Sequence, residues 1–294
     1  MPRESVGGDL ISTRESFTRV WSITAVYAML IVIAVLTLFP LIWMFSSSFR
    51  SDVEIFEYNN PVSYKTFVPD RLILQSYRNL FTLRDFQIPL RNTLIVSLSC
   101  ILIGCGVNGI AGFAFAKFDF KLKRVLFALI MLSFMIPFES LAIPLYRLVS
   151  GLGWIDTFQG IVVPTIADGL AIFLFKQFFE EIPNGIIDSA RIDGASTITV
   201  LLKIVVPLSV PAVITAGLVI FVTNWSAFVW PLIIAHSPPH RLIQVALTDF
   251  KLEHATLWSE LFAASTISTL IPILLFLPFQ RYYVAGVTSS GLKG

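Results

Sequence analysis

Polar side chains set inside long apolar runs are the residues of this 294-residue sequence best suited to act on a solute. A polar group is costly within a membrane-like run, so its presence there points to a function. Asparagine and glutamate can hydrogen-bond hydroxyl groups, and tryptophan offers an aromatic face to C–H groups. The candidates for a solute path are Asn92, Glu139, Asn224, Trp225, Ser226 and Trp230.

A structural interpretation stands beside the functional one at several polar positions. Trp230 is also suited to anchor a helix at the membrane interface. Glu139 is also suited to a hydrogen bond between two helices. Asp168, in the run VPTIADGLAIF, is predicted to have a structural role.

The sequence offers no set of residues suited to catalysis or to metal binding. His236, His240 and His254 lie in one predicted loop, where no cysteine or carboxylate completes a ligand set. Cys100 and Cys105 are five positions apart in an apolar run, so a helix directs them to different sides and we expect reduced, buried thiols. The sequence also lacks the G-x-x-x-x-G-K-[ST] loop that cradles phosphates. We therefore expect no enzyme activity, no bound metal and no cofactor in this chain.

Composition determines the class of protein that must position the polar residues. The chain is 55% hydrophobic and only 14% charged, whereas a soluble domain carries roughly 25% charged residues. Apolar runs of the length needed to cross a lipid bilayer, about 20 residues, recur along it. The prediction is an all-α integral membrane protein with six transmembrane helices at 22–47, 89–116, 125–149, 159–178, 204–234 and 259–280. Pro207 and Pro211 predict a bent or broken fifth span.

Basic residues predict the orientation of the spans. The short loop 117–124 contains Lys117, Lys121, Lys123 and Arg124, and such loops are retained in the cytoplasm. With six spans in 22–280, this places the N-terminal tail 1–21 and a flexible C-terminal tail 281–294 in the cytoplasm. Residues 50–88 and 235–258 then lie outside. The net charge of only +2 gives no indication of a nucleic-acid partner.

The loop 181–203 is the most polar stretch between two spans on the predicted cytoplasmic side. Pro183 and Asn184 are predicted to end the fourth span, and a short helix is predicted over 186–194. Gly194 permits a turn, and Ser196 is suited to cap the helix that follows. Such an elbow exposes small residues and polar side chains on the membrane surface.

The residue spacing in this loop resembles a known cytoplasmic motif. Asp188-Ser189-Ala190, three residues, Gly194, nine residues and Ile204-Val205-Val206-Pro207 follow the E-A-A…G…I-x-L-P pattern in permeases of binding-protein-dependent ABC importers. The segment ARIDGA resembles the form found in sugar-importing members. The segments LQSYRNLF, NWSAFVWPL and QRYYVAGVTSSGLKG are similar to the smaller permease of the maltose-type, or carbohydrate-uptake, family. Two positions depart from the motif, because Asp188 replaces its glutamate and Ser189 its first alanine.

The resemblance implies a fold, a site and a set of partners. The fold is that of a type I ABC importer permease, and the helix 186–194 is its coupling helix. The positions that match the motif, or lie between its parts, and so are implied in ATPase coupling are Asp188, Ser189, Ala190, Arg191, Asp193, Gly194, Ala195, Ile204 and Pro207. ATP and Mg²⁺ are implied to bind partner ATPase subunits, so this chain needs no cofactor of its own.

The implied complex lies in the prokaryotic plasma (inner) membrane. It contains a second, paralogous permease subunit, two ATP-binding subunits and an extracytoplasmic solute-binding protein, and the solute is a sugar, oligosaccharide or polyol derivative. In such systems the partner permease can make most of the solute contacts. The alternatives are a permease for a non-sugar or phosphorylated polyol solute, a secondary transporter or a membrane-embedded enzyme. A secondary transporter would need an internal repeat and ion sites near the bilayer midplane.

Overall fold

The computed structural model describes residues 8–58, 63–251 and 256–291, and side chains at 21–58, 63–251 and 256–282. Within these ranges the chain is helical, and its only strand-like pairing is an isolated bridge between Lys251 and Thr256. Contacts divide the chain into two units. The first contains residues 1–76 and 258–266, and the second contains residues 77–257 and 267–294.

The helices of the first unit begin with a long, isolated span. They are α1 (Gly8–Ser47) and α2 (Asp52–Glu57), followed by the 3-10 turn Tyr64–Thr66. Side chains 21–40 of α1 are exposed on all sides, as expected for a helix whose solvent is lipid. The first unit also holds the start of the last helix of the chain, where Asp52 Oδ1 accepts a hydrogen bond from Ser259 N at 2.8 Å.

The remaining helices build the second unit, although the first residues of α3 and of α15 belong to the first unit. They are α3 (Gln75–Thr82), α4 (Gln87–Lys117), α5 (Lys123–Phe134), α6 (Phe138–Gly151), α7 (Phe158–Val162), α8 (Gly169–Glu181), α9 (Asn184–Ile192), α10 (Thr197–Val200), α11 (Val206–Leu208), α12 (Val210–Trp225), α13 (Val229–Ile234), α14 (Ile243–Ala246) and α15 (Trp258–Gly291). A π-helical turn, Leu201–Val205, joins α10 to α11.

Helix α4 is the centre of the second unit and packs against α8 and α12. Gly112 of α4 has no side chain, and this allows the backbone of α8 to approach α4 closely. A Cβ atom at this position would lie 2.5 Å from Phe175 Cβ and 3.0 Å from the backbone nitrogen of Lys176. Close packing of this kind is the main source of cohesion between membrane helices, because lipid is as apolar as their side chains.

Three helices are long and apolar enough to cross a membrane: Trp21–Ser47, Gln87–Lys117 and Trp258–Tyr282. Three pairs supply further spans if each bent pair counts as one. They are Lys123–Phe134 with Phe138–Gly151, bent by 100°, Phe158–Thr165 with Gly169–Glu181, bent by 46°, and Thr197–Leu208 with Val210–Trp225, bent by 86°. By length and composition, the described helices thus account for up to six spans, as predicted.

The break predicted in the fifth span is confirmed, and it lies at Ser209, between Pro207 and Pro211. The spans predicted at 125–149 and 159–178 are also interrupted, at residues 135–137 and 166–168. The prediction of a flexible C-terminal tail is wrong as far as Gly291, since α15 continues to that residue. No proline follows Pro278 to stop it. Residues 292–294 lie outside the described part.

Candidate functional site

The polar loop 181–203 forms a helix–turn–helix elbow. Helix α9 begins at Asn184 and ends at Ile192, two residues earlier at each end than predicted. Gly194 has a φ of +85°, a conformation that strains residues with a side chain. The turn is closed by hydrogen bonds from Gly194 N to Arg191 O and from Ala195 N to Ala190 O, each of 3.0 Å. The predicted glycine turn is confirmed.

The second arm of the elbow leads into the fifth span. Ser196 Oγ accepts a hydrogen bond from Thr199 N at 3.2 Å, which confirms the predicted cap of α10. Ile204 lies in the π-helical turn and Pro207 in α11, immediately before the 86° bend. A π-helical turn within an α-helix is rare and often marks a functional position.

Helix α9 has a buried side and an open side. Ile187 is buried in a cluster with aromatic residues of α4 and α8, including Phe113 and Phe179. On the other side, Ile192 is 86% exposed and Ile198 of α10 is 68% exposed. A Cβ atom on Gly194 would meet no other described atom within 4 Å. The elbow therefore offers a surface with apolar side chains that this chain leaves uncovered.

Charged groups of the motif lie on the same open side. Asp188 and Arg191 form an exposed pair with a 3.9 Å contact, and Asp193 is exposed after the last residue of α9. An exposed ion pair contributes little to stability, so the carboxylates of Asp188 and Asp193 are available to a partner. Ser189 is exposed, and Ala190 and Ala195 are half-buried beneath the turn.

Four of the six candidates for a solute path are buried within this chain. Trp225 is 2% exposed, and its indole N–H donates to Ser268 O at 2.9 Å. The indole of Trp230 donates to Gly160 O at 3.1 Å. Both N–H groups and nearly all of the ring surface are used in packing within this chain, and the place of the two rings on a solute path stays a prediction.

The two asparagines are also committed to the chain itself. Asn224 Nδ2 donates to Ile220 O one turn earlier, at 2.9 Å. Asn92 Nδ2 donates to Pro239 O at 2.7 Å and to Arg241 O at 3.1 Å. Asn92 therefore fastens a distant loop to the start of α4, and its place on a solute path stays a prediction.

Glu139 and Ser226 remain exposed. Glu139 lies in the first turn of α6, and Ser226 follows the last residue of α12. The adjacent Phe138 packs edge-on against Trp230, with ring centroids 5.9 Å apart. This contact brings the start of α6 near the start of α13.

Asn108 is a structural residue that the sequence did not reveal. Its Nδ2 donates to Ile166 O at 2.9 Å, and its Oδ1 accepts from Asp168 N at 3.0 Å. Asp168 caps α8 by accepting from Ala171 N at 2.7 Å, which confirms its predicted structural role. The partners of Asn108 are 58 and 60 positions away, so no local pattern could have indicated them.

The histidines and cysteines do not form a metal site in the described residues. No group of three or more His, Cys, Asp or Glu side chains there could hold an ion. His236 is exposed, while His240 lies edge-on to Phe158. His254 lies outside the described residues. Cys100 and Cys105 are free thiols.

Comparison with known proteins gives three consistent results. Residues 108–289 match the family described as "Binding-protein-dependent transport system inner membrane component". The chain is 30% identical to the arabinooligosaccharides transport system permease protein AraQ of Halalkalibacterium halodurans, over 93% of this chain and 96% of AraQ. It is 31% identical to the trehalose/maltose transport system permease protein MalG of Thermococcus litoralis, over 90% and 94% of the two chains.

The fold is similar to that of a solved importer. A chain of a bacterial ABC transporter for the acidic polysaccharide alginate superposes with a TM-score of 0.76, at 20% identity, over 96% of this chain and 99% of the other. At that identity the likeness concerns the fold, which is that of the membrane subunit of an importer.

Proposed function

Because this chain belongs to the family of binding-protein-dependent transport system inner membrane components, we propose that it is the permease subunit through which an ATP-driven importer moves a sugar. The polar loop 181–203 is the observation that supports this function most. It combines the motif residues from Asp188 to Gly194 with an open turn and an uncovered apolar edge. A loop that only joined two spans would need neither.

The elbow and the loop held by Asn92 lie at opposite ends of α4. At a rise of about 1.5 Å per residue, the stretch from Asn92 to Lys117 is roughly 38 Å long, more than the ~30 Å of a hydrocarbon core. The elbow shares its end of α4 with the basic loop 117–124. We assign that end to the cytoplasm, which puts both termini there and the loop after residue 234 outside.

In this function α9 is the coupling helix. It docks on an ATPase subunit, whose closure around ATP and Mg²⁺ moves α9 and, through it, the spans. This chain binds neither ATP nor Mg²⁺. The complete importer has two ATPase subunits, a second, paralogous permease subunit and an extracytoplasmic solute-binding protein in the prokaryotic plasma (inner) membrane.

The solute class follows from the relatives and from the two exposed polar residues. AraQ and MalG are named for transport of arabinooligosaccharides and of trehalose and maltose. Glu139 and Ser226 can both hydrogen-bond hydroxyl groups, so we keep them as contacts on the solute path. The buried Trp225 and Trp230 then pack beneath these contacts and support their positions.

A test of this function separates an ATP-driven importer from a secondary transporter. Cells that lack this chain should fail to take up the sugar bound by the cognate binding protein, as identified by thermal-shift screening, and the restored gene should rescue uptake. In vesicles, uptake should require internal ATP and survive dissipation of the proton and sodium gradients. Uptake without ATP, or its loss with the gradients, would contradict the proposal. A binding protein that takes only phosphorylated polyols or non-sugars would favour the alternative solute class.

A further inference from the structure

The end of α4 contacts α9 at a lysine. Lys117 is the last residue of α4, and its ammonium donates to Ile182 O at 2.5 Å and to Asn184 Oδ1 at 3.0 Å. Ile182 follows the last residue of α8, and Asn184 is the first residue of α9. The two acceptors lie on either side of Pro183, so one cation holds the joint between α8 and α9 against α4.

The joint is centred on Pro183, which adds no polar side chain of its own. Pro183 has no N–H group and its side chain gives α9 no cap. The carbonyl of Ile182 lies at the C-terminal end of α8, where a cation interacts favourably with the helix dipole. Hydrogen bonds to a charged donor are also about twice as strong as neutral ones. Lys117 therefore links α4 to the start of α9 by a charge-assisted hydrogen bond.

The next residue contacts the other end of α9. The ring of Phe118 lies 5.7 Å from Arg191 Cζ, within the range of a cation–π interaction. The same ring packs edge-on against Phe113 of α4, with centroids 5.7 Å apart. Two consecutive residues thus hold both ends of α9. Lys117 is the last residue of α4, which runs to the opposite face of the second unit, and Phe118 follows it.

We propose that Lys117 and Phe118 are positioning residues that make α4 move with the coupling helix. The inference rests on the proposed function, since it assumes that α9 receives a movement from an ATPase. At its other end α4 holds the outer loop, through Asn92 and through Thr93 Oγ1, which accepts from Ile243 N at 2.8 Å. A signal from a loaded binding protein then passes along α4 toward the ATPase. It leaves α4 through the contact of Lys117 with Asn184, the first residue of α9.

The test uses Lys117→Met, which keeps the length of the side chain and removes its charge and donors. In the assembled transporter, in vesicles, ATP hydrolysis is measured with and without loaded binding protein, together with solute uptake. Lys117→Met should lower the ratio of stimulated to unstimulated hydrolysis by about tenfold, the order expected for loss of a charged hydrogen bond. It should also raise the ATP used per solute. Lys117→Arg should keep most of the stimulation, because it retains a cationic donor.

Two further variants keep the proposal open to refutation if Lys117→Met fails to assemble. Asn184→Ala removes one acceptor from an exposed position, and Phe118→Leu removes the ring beneath Arg191. Each should lower the stimulation ratio by about threefold. Lys121→Met, at an exposed lysine of the same loop, is the matched control and should leave the ratio unchanged.

The outcomes distinguish this inference from the function on which it rests. Gly194→Val alters the turn of the elbow and tests the coupling function itself. Wild-type stimulation in Lys117→Met, or in both further variants, would overturn the positioning role even if Gly194→Val abolishes uptake. An equal loss in Lys121→Met would also overturn it, because the effect would then reflect the charge of the loop rather than the contact. If Gly194→Val also transports normally, the coupling function itself fails.

Discussion

The two loops at the ends of α4 differ in how their polar and apolar groups are satisfied. The loop after residue 234, called the outer loop because the proposed function places it outside, is fastened to the chain. Asn92 binds two of its carbonyl oxygens, Thr93 accepts from Ile243 N, and Asp156 Oδ1 accepts from Ser237 N at 2.8 Å. The elbow 181–203 is held mainly on one side. Its other side exposes Ile192 and Ile198 and leaves open space at Gly194.

This difference separates a structural loop from a docking surface. The loop after residue 234 is held by hydrogen bonds within the chain, although Asn92 Oδ1 and Arg241 Nε are buried without a partner among the described residues. Large apolar side chains that stand exposed next to charged residues outside the spans mark a surface for another protein. Substitutions in the outer loop should therefore change stability first, and substitutions in the elbow should change partner binding first.

The largest effect is expected at Asn92. Asn92→Ala leaves the carbonyl oxygens of Pro239 and Arg241 without this donor, and should lower the free energy of unfolding by about 1–3 kcal/mol. Thermal unfolding of the purified subunit should show a lower midpoint, with less protein in the membrane. Arg91→Ala, at the exposed neighbouring position, is the control. Unchanged stability of Asn92→Ala would contradict the claim that contacts of the outer loop stabilise the fold.

A smaller effect is expected at Ile192, where a substitution should change partner binding and leave stability unchanged. Ile192→Ala should weaken binding of the ATPase subunit by about 1–2 kcal/mol, because apolar surface buried in the complex is lost. Stability of the subunit alone should stay the same, since the side chain is 86% exposed. Binding is measured by titrating the ATPase onto the subunit in nanodiscs. A fall in the unfolding midpoint without weaker binding would assign Ile192 to the scaffold.

The smallest effect is a pH dependence at the outer loop. The backbone N–H of Ser237 lowers the pKa of Asp156 below its ordinary value. A carboxylate with a lowered folded-state pKa stabilises the fold above its unfolded pKa, about 3.9, and loses this contribution as pH falls through the folded value. Asp156→Asn should therefore flatten the fall in unfolding temperature below about pH 4. An identical pH profile in the variant would contradict the role of this contact.

Features that depend on local chemistry could be predicted from the sequence. Pro207 and Pro211 indicated the broken fifth span, Gly194 the left-handed turn and Ser196 the cap. Each of these effects acts within a few residues of its cause. The motif in the elbow could be recognised for the same reason, because its residues lie close together in the sequence.

Features that depend on packing could not be predicted. The chain is apolar on most sides of its spans, so periodicity does not distinguish a face toward lipid from a face toward another helix. The burial of Trp225 and Trp230 was missed for this reason, as was the partnership of Asn108 with Asp168. Pro137 and Pro144 lie in similar sequence, yet only the first lies at a 100° bend.

Gly194 provides the most direct test of the central claim, that the elbow is the surface on which an ATPase docks. The measurement is the amount of ATPase that copurifies with the tagged subunit, together with uptake. Gly194→Val adds a branched side chain at a φ of +85° and on an open surface, whereas Gly194→Ala adds less bulk. Gly151→Val is the control, because Gly151 at the end of α6 is equally open and has no positive φ.

The account predicts that Gly194→Val abolishes uptake and loses the ATPase, or leaves its hydrolysis insensitive to loaded binding protein. Gly194→Ala should be intermediate, and Gly151→Val should behave as wild type. A Gly194→Val subunit that retains its ATPase and transports at the normal rate would contradict the account.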